Sequence, residues 1–371
     1  MIRWNAMIER RGHTRGRILW SLGILSAMLA LGVFSASLPS SAAEPVNIYE
    51  YTMGPGLSPA VATLPVRIYL PNSVSNTVHV IDPSTYKVID QYPVGREPHH
   101  VTPSWDMTKL YVLNTKSDSL TVIDPRTGKA TGTIAVTDPY NLYFTPDGKY
   151  AIVVAERFKR LDFRDPTTWA LRGSVSIPYA GVDHLDFSAD GRYLLASCEY
   201  TGWLVKVDIP TMRLTGEFRV GGLPIDVRLA PDGTVFYVAN QGRHGVSVVD
   251  ADAMREVAFI PTGRGAHGLY VSRDTRFLYV TNRLAGSISV IDFATRKVVR
   301  TWEIGGSPDM GGVTPGGRQF WISGRYHHEV YVIDTVAGAR VQTIRVGLNP
   351  HGLAVFPQPG RYSLGHTGVF R

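Results

Sequence analysis

The chain has 371 residues, of which 44% are hydrophobic and 19% charged, and a formal net charge of +7. Residues 1–43 hold five arginines and one glutamate, so the remainder carries only +3, and nothing in the charge demands a nucleic-acid partner. A single cysteine, Cys198, excludes an intrachain disulfide, and the lack of a Cys-x-x-Cys-His run excludes a covalently attached c-type haem.

Arg3, Arg10, Arg11, Arg15 and Arg17 precede the apolar run 18–34, and Ser41-Ala42-Ala43 follows it. Charge, apolar length and small exit residues predict a secretory signal over 1–43, giving a periplasmic or secreted protein that begins near Glu44. An uncleaved membrane anchor is the alternative, and it is the only route to membrane contact that the sequence offers. Gly12, His13 and Thr14 supply no hydrophobic residue after Arg10-Arg11, which weakens a twin-arginine route, and no cysteine follows the run to carry a lipid. Residues 44–65, rich in Pro, Gly and Ala, form an N-terminal extension.

From residue 66 a repeat takes over. Asp82, Asp124, Asp208, Asp250, Asp292 and Asp334 are spaced by 42 residues or twice that, each closing a short β-rich run such as HVID or SVID. A degenerate copy around Asp165 fills the double step. Seven copies with strand-like content predict an all-β fold, a seven-bladed β-propeller over 66–357 with four antiparallel strands per blade. This overrides the two or three domains that length alone would suggest. The periodic aspartates, and the Asp-Gly pairs in TPDG, SADG and APDG, are turn residues. The first copy opens on the second strand of a blade (66–72) and the last closes on an innermost strand (351–356). The ring should therefore shut by pairing these two segments, which removes free sheet edges.

Tyr279-Val280-Thr281-Asn282, with YVLN at 111–114 and YVAN at 237–240, resembles the signature of the YVTN-type (YncE-like) seven-bladed β-propeller repeat family. The resemblance covers about 66–357 and implies the fold. It does not imply one activity, because the family includes secreted proteins, surface-layer modules and relatives of haem d1 and dehydrogenase propellers.

In such a blade the loops leading into the inner strand and those after the second strand open on one face. Eight of the ten histidines beyond residue 43 fall there: His99, His100, His184, His244, His267, His327, His328 and His351. His79 and His366 are assigned elsewhere. Imidazole suits copper, zinc or iron, and carboxylates orient imidazoles, so His99, His100, His184, His267 and His351 are the candidate metal ligands. Asp183, Asp226, Asp309, Glu156, Cys198 and Glu199 are the candidate supporting residues. Equidistance about the Asp-Gly turns sets His184 near Cys198 and Glu199, and Asn141 near Glu156. Affinity for a metal should fall as pH drops through about 6.5.

The expected function is a binding scaffold that engages a small molecule or protein partner through this central face. The alternative is a metal- or haem-dependent oxidoreductase or lyase using the same residues, with copper or another transition metal as the cofactor. Cys198 beside His184 reads as either a nucleophile–base pair or a core residue. The basic run Arg157, Lys159, Arg160 and Arg164 reads as a solvated rim, with single-stranded nucleic acid as the weaker alternative. The C-terminal tail, 358–371, lies outside the repeat.

Overall fold

Each 42-residue repeat forms one twisted antiparallel sheet, and the sheets stand around a common axis. The computed structural model describes residues 46–54, 56–366 and 368–371; the expected signal over 1–43 lies outside them. Seven sheets are present, and the described residues include three single 3-10 turns but no α-helix. In chain order the blades are 1 (67–93 plus Ala354–Phe356), 2 (98–135), 3 (141–176), 4 (182–219), 5 (224–261), 6 (266–303) and 7 (308–345).

The strand sequences explain the layering. Inner and second strands such as Val182–Phe187 and Phe236–Asn240 are buried along their whole length, because neighbouring blades cover both faces. Outermost strands alternate with solvent, as in Arg213–Arg219. The apolar clusters lie between blades: Phe187, Leu194 and Val205 of blade 4 pack with Ile152, Val154 and Phe163 of blade 3. Each such side chain contributes about 1.5–3 kcal/mol on burial. The periodic aspartates accept backbone N–H bonds at the turn that follows them, as Asp250 Oδ1 does from Asp252 and Ala253. Asp165 plays the same part in the degenerate repeat.

Closure occurs where the sequence places it. Ala354–Phe356 pairs with Arg67–Asn72 through Arg67↔Phe356, Ile68↔Val355 and Tyr69↔Ala354, and Pro350 bridges Asn72. Chain ends that are far apart in sequence thus share blade 1, and its inner edge is covered.

Both extensions lie on the face carrying the Asp-Gly turns. Ile48 N–H donates to Pro231 and Tyr49 Oη to the Leu229 carbonyl. The tail goes further. Ser363–Gly365 adds to the inner strand of blade 3 through Gly365↔Tyr143, making that sheet six-stranded with Val369–Phe370. Arg371 reaches Asp186 of blade 4 at 2.7 Å. The tail fills the axis from below, a placement that its aperiodic sequence does not announce.

Candidate functional site

A register slip recurs where the inner strands begin. In blades 2, 4, 5, 6 and 7 the ladder between the inner and second strands shifts by one residue, between Pro98/Val101, Val182/Leu185, Pro224/Val227, Ala266/Leu269 and Pro308/Gly311. The two residues inside each slip are freed from regular pairing and re-aimed. They fall in two 42-spaced rows. One runs His99, Asn141, Asp183, Ile225, His267, Asp309, His351, and the other His100, Leu142, His184, Asp226, Gly268, Met310, Gly352.

The five imidazoles of the rows join His366 in one chain of ring contacts, and four of the five predicted ligands fall in two clusters. His99, His100 and His351 form the first, with candidate donor atoms all within 4.8 Å of one another. The His99 ring centroid lies 4.2 Å from that of His351 and 4.9 Å from that of His100. All three are buried, and neither ring nitrogen of His99 or His100 has a hydrogen-bond partner among the described residues. The backbones meet because Gly352 N–H donates to the His99 carbonyl and Val101 N–H to the Gly352 carbonyl. A Cβ at Gly352 would fall 2.7 Å from His100 Cα and onto its ring, so only glycine allows this approach.

His351 is held by Asp309, whose Oδ2 lies 2.5 Å from His351 Nδ1. This leaves His351 Nε2 as the donor, a carboxylate–imidazole arrangement found behind metal ligands. The same carboxylate meets Arg283 through Oδ1 and has Arg325 Nη1 at 3.7 Å from Oδ2. Burial raises the Asp309 pKa, but Arg283, His267 and Arg325 outweigh it and hold the carboxyl below its ordinary value.

The second cluster is His184, Asp226 and His366, again with donor atoms within 4.8 Å of one another. His184 Nδ1 lies 2.7 Å from Asp183 Oδ1, and His366 Nε2 lies 3.1 Å from Asp226 Oδ1. The sequence places His366 away from the central face. It arrives on the tail, so repeat position gave no signal for it. The other two members, His184 and Asp226, are among the candidates that the sequence offers.

Above the first cluster the funnel opens into a cavity of about 680 Å³, lined on one side by Glu156, Glu199 and Tyr140 and on the other by Arg283, Arg325 and His267. Burial, with Asp183 next, pushes both Glu156 and Glu199 up to about 7. Around the mouth a third 42-spaced row lies at the tips of the turns after the second strands. Val74, Phe158, Tyr200, Leu284 and Tyr326 of this row are 47–61% exposed, a broken apolar collar. Arg157 of the basic run pairs with Asp118, and Arg160 and Arg164 pair with Asp162.

Four expectations need correction. His267 belongs to neither cluster: Arg283 donates to its Nε2, and its Nδ1 lies 3.2 Å from Asp309 Oδ1 without hydrogen-bond geometry. Cys198 does not support His184. The slip pairs it with Val182, its side chain packs among Leu185, Ala196 and Phe187, and burial pushes its thiol up to about 12. Asn141 pairs with Val154 rather than standing opposite Glu156. The imidazole range also moves: burial first, then neighbouring positive charge, holds His99, His100 and His351 well below 6.5, whereas at His184 burial is outweighed by Asp183, which raises it.

The remaining histidines of this face are structural. His244 and His328 occupy the left-handed turn position, with φ of 58° each, that Asn76 and Asp118 occupy in other blades. All four accept a backbone N–H from the next blade through a side-chain atom: Asn76 from Glu97, Asp118 from Asp138, His244 from Gly265 and His328 from Asn349. His327 Nδ1 meets Ser307 Oγ at 3.0 Å. His79 is buried in the third strand of blade 1.

Comparison with known proteins agrees with the fold. Residues 32–361 match the family model described as YNCE-like beta-propeller. No curated protein matches the chain. Among solved structures, the periplasmic gluconolactonase PpgL of Pseudomonas aeruginosa is 18% identical, covering 79% of this chain and 99% of its own, with a TM-score of 0.66. The dihydro-heme d1 dehydrogenase NirN, in complex with DHE, is 16% identical over 81% of this chain and 77% of its own, with a TM-score of 0.61. Kuenenia stuttgartiensis hydrazine synthase is 19% identical over 69% of this chain and 88% of its own, with a TM-score of 0.59. At these identities the likeness is one of fold.

Proposed function

The chain belongs to the YNCE-like β-propeller family, and from that premise we propose that it is an exported binding module holding a transition-metal ion, copper or zinc, at His99, His100 and His351. The observation that carries this reading is the burial of His99 and His100 with no hydrogen-bond partner for any of their four ring nitrogens among the described residues. Buried polar atoms without partners are costly. A tetrahedral ion with bonds of about 2.0–2.1 Å sets its donors roughly 3.3 Å apart, so small ring rotations would close the cluster around it. Neutral imidazoles are the protonation state a metal requires, and burial favours it here.

Export rests on the basic and apolar pattern of 1–43 and accords with the periplasmic PpgL among the fold's relatives. Among the described residues no helix is long and apolar enough to cross a membrane. The apolar collar suits a protein partner that docks over the mouth and exchanges the ion or a small ligand through the cavity. A second reading, a metal- or haem-dependent oxidoreductase or lyase, draws on Glu156 and Glu199, since carboxyls near about 7 suit proton transfer at neutral pH.

Copper and zinc titration of the wild type, His100→Ala, His351→Ala and His79→Ala at pH 7.5 tests the proposal. The first two variants should each bind one equivalent less than the wild type, and the third should bind as much. Equal binding by all four proteins overturns it. Turnover abolished by Glu199→Gln with metal content unchanged would favour the enzyme reading.

A further inference from the structure

We infer that His184, Asp226 and His366 form a second metal site, separate from the three-imidazole cluster and built in part by the C-terminal segment. Its donors come from three elements: the inner strand of blade 4, the inner strand of blade 5 and the tail that fills the axis. All three side chains are buried, with relative exposures of 0–1%. The His184 and His366 ring centroids are 4.5 Å apart.

The spacing and chemistry of these donors suit a metal ion. His184 Nδ1 lies 2.7 Å from Asp183 Oδ1 without hydrogen-bond geometry, and no described residue offers either ring nitrogen a hydrogen bond. His366 Nε2 and Asp226 Oδ1 share a hydrogen bond of 3.1 Å, a spacing close to the roughly 3.3 Å between two donors on one tetrahedral ion, and Oδ1 also accepts the Val227 N–H at 2.9 Å. Asp226 Oδ2 is fixed by the Leu269 N–H at 2.8 Å, so the carboxylate cannot swing away. The surrounding charge also suits a cation. Asp183, Asp186 and Asp226 are set against Arg228 and Arg371, an excess of one negative charge.

The donor sets of the two clusters differ, and so should their preferences. Three imidazoles favour copper or zinc, whereas two imidazoles and a carboxylate suit zinc, cobalt(II), iron(II) or manganese(II). Binding at the second site would also fasten the tail to blades 4 and 5.

This inference shares only the axis with the function proposed above, and the test separates them. The full-length protein, wild type and with His351→Gln, His366→Gln or Asp226→Asn, is equilibrated with cobalt(II) or zinc(II), desalted and analysed for metal. Hydrogen exchange of 357–371 is followed with and without metal, and circular dichroism confirms that each variant is folded. We expect two ions per wild-type chain and one in each variant. His351→Gln should keep the metal-dependent protection of 357–371, and His366→Gln should lose it. If His366→Gln and Asp226→Asn bind as much metal as the wild type, the second site is overturned and the cluster is a hydrogen-bonded anchor. One ion in the wild type, lost only with His351→Gln, overturns this inference and leaves the first site standing. No bound metal in any form overturns both.

Discussion

Asp309 and His351 lie 42 residues apart, one full repeat, and their side chains meet at 2.5 Å on the propeller axis. Asp309 serves His351 and His267 and also balances Arg283 and Arg325. One buried carboxylate thus orients a candidate ligand and neutralises the cationic side of the cavity.

Replacing Asp309 by Asn should therefore act twice. It leaves Arg283 buried without its counter-charge, a loss of about 3–5 kcal/mol, measurable by chemical denaturation. It also frees the His351 ring, so metal affinity at the first cluster should fall roughly 10–100-fold. A variant as stable as the wild type would contradict the assigned role.

Removing residues 350–371 should abolish cooperative unfolding. The deletion takes away Ala354–Phe356, which covers the inner edge of Arg67–Asn72, and also the tail that fills the axis. Soluble truncated protein with an unchanged thermal transition would refute closure as a source of stability.

The ring, its closure and the face that carries chemistry are legible in the sequence because each depends on the repeat. Turn aspartates at 42-residue steps set the blade count, and the incomplete first and last copies supply the missing parts of one sheet. What strict equidistance about a turn misses is the slipped residue. The expected neighbours of His184 were Cys198 and Glu199, yet the extra residue in 182–185 turns Cys198 into the core and His184 toward the axis. His366 escapes for another reason: the tail has no repeat partner, and its position follows from packing alone. His244 and His328 were counted with the central face because a left-handed turn residue and an axial ligand look alike as single letters.

The pH response of the axial histidines should run opposite to ordinary exposed imidazole. Burial holds His99, His100 and His351 well below 6.5, so they stay neutral in the folded chain while the unfolded chain takes up protons. Their contribution to stability is present above about 6.5 and is lost as pH falls below it. Zinc binding at the first cluster should accordingly persist at pH 5.5, within about threefold of its value at pH 7.5. A tenfold fall over that interval would show that these rings titrate like exposed ones.

Glu199 should have the reverse effect. Burial, reinforced by Asp183, raises its carboxyl to about 7 in the folded chain, above the ordinary 4.5. The charged form is a cost above about pH 7, and the cost is relieved as pH falls toward 4.5 because the folded state protonates first. Glu199→Gln should raise stability at pH 8 by about 1–3 kcal/mol and leave it unchanged at pH 4. Urea denaturation at the two pH values measures the difference, and equal effects at both would exclude a buried charge as the cause.

His328→Asn and His328→Ala distinguish rim from axis. Asn keeps a side-chain acceptor for the Asn349 N–H and tolerates the left-handed backbone, so its stability should match the wild type. Ala loses the acceptor and should cost about 1 kcal/mol. Neither should change metal content, and a lost ion would move His328 into the site.

The recurring slip at the start of the inner strands gives this architecture a division of labour within a single strand. Residues after the slip hold the sheet together, while the two inside it contribute little to the ladder and face their counterparts from other blades. A substitution there alters the shared interior of the ring and removes no regular ladder pair from the blade that carries it. Histidine, aspartate, isoleucine, methionine and glycine all occupy these positions in one chain. New chemistry on this scaffold can therefore arise one blade at a time, and seven nearly equal copies become a heterogeneous centre without any change of fold.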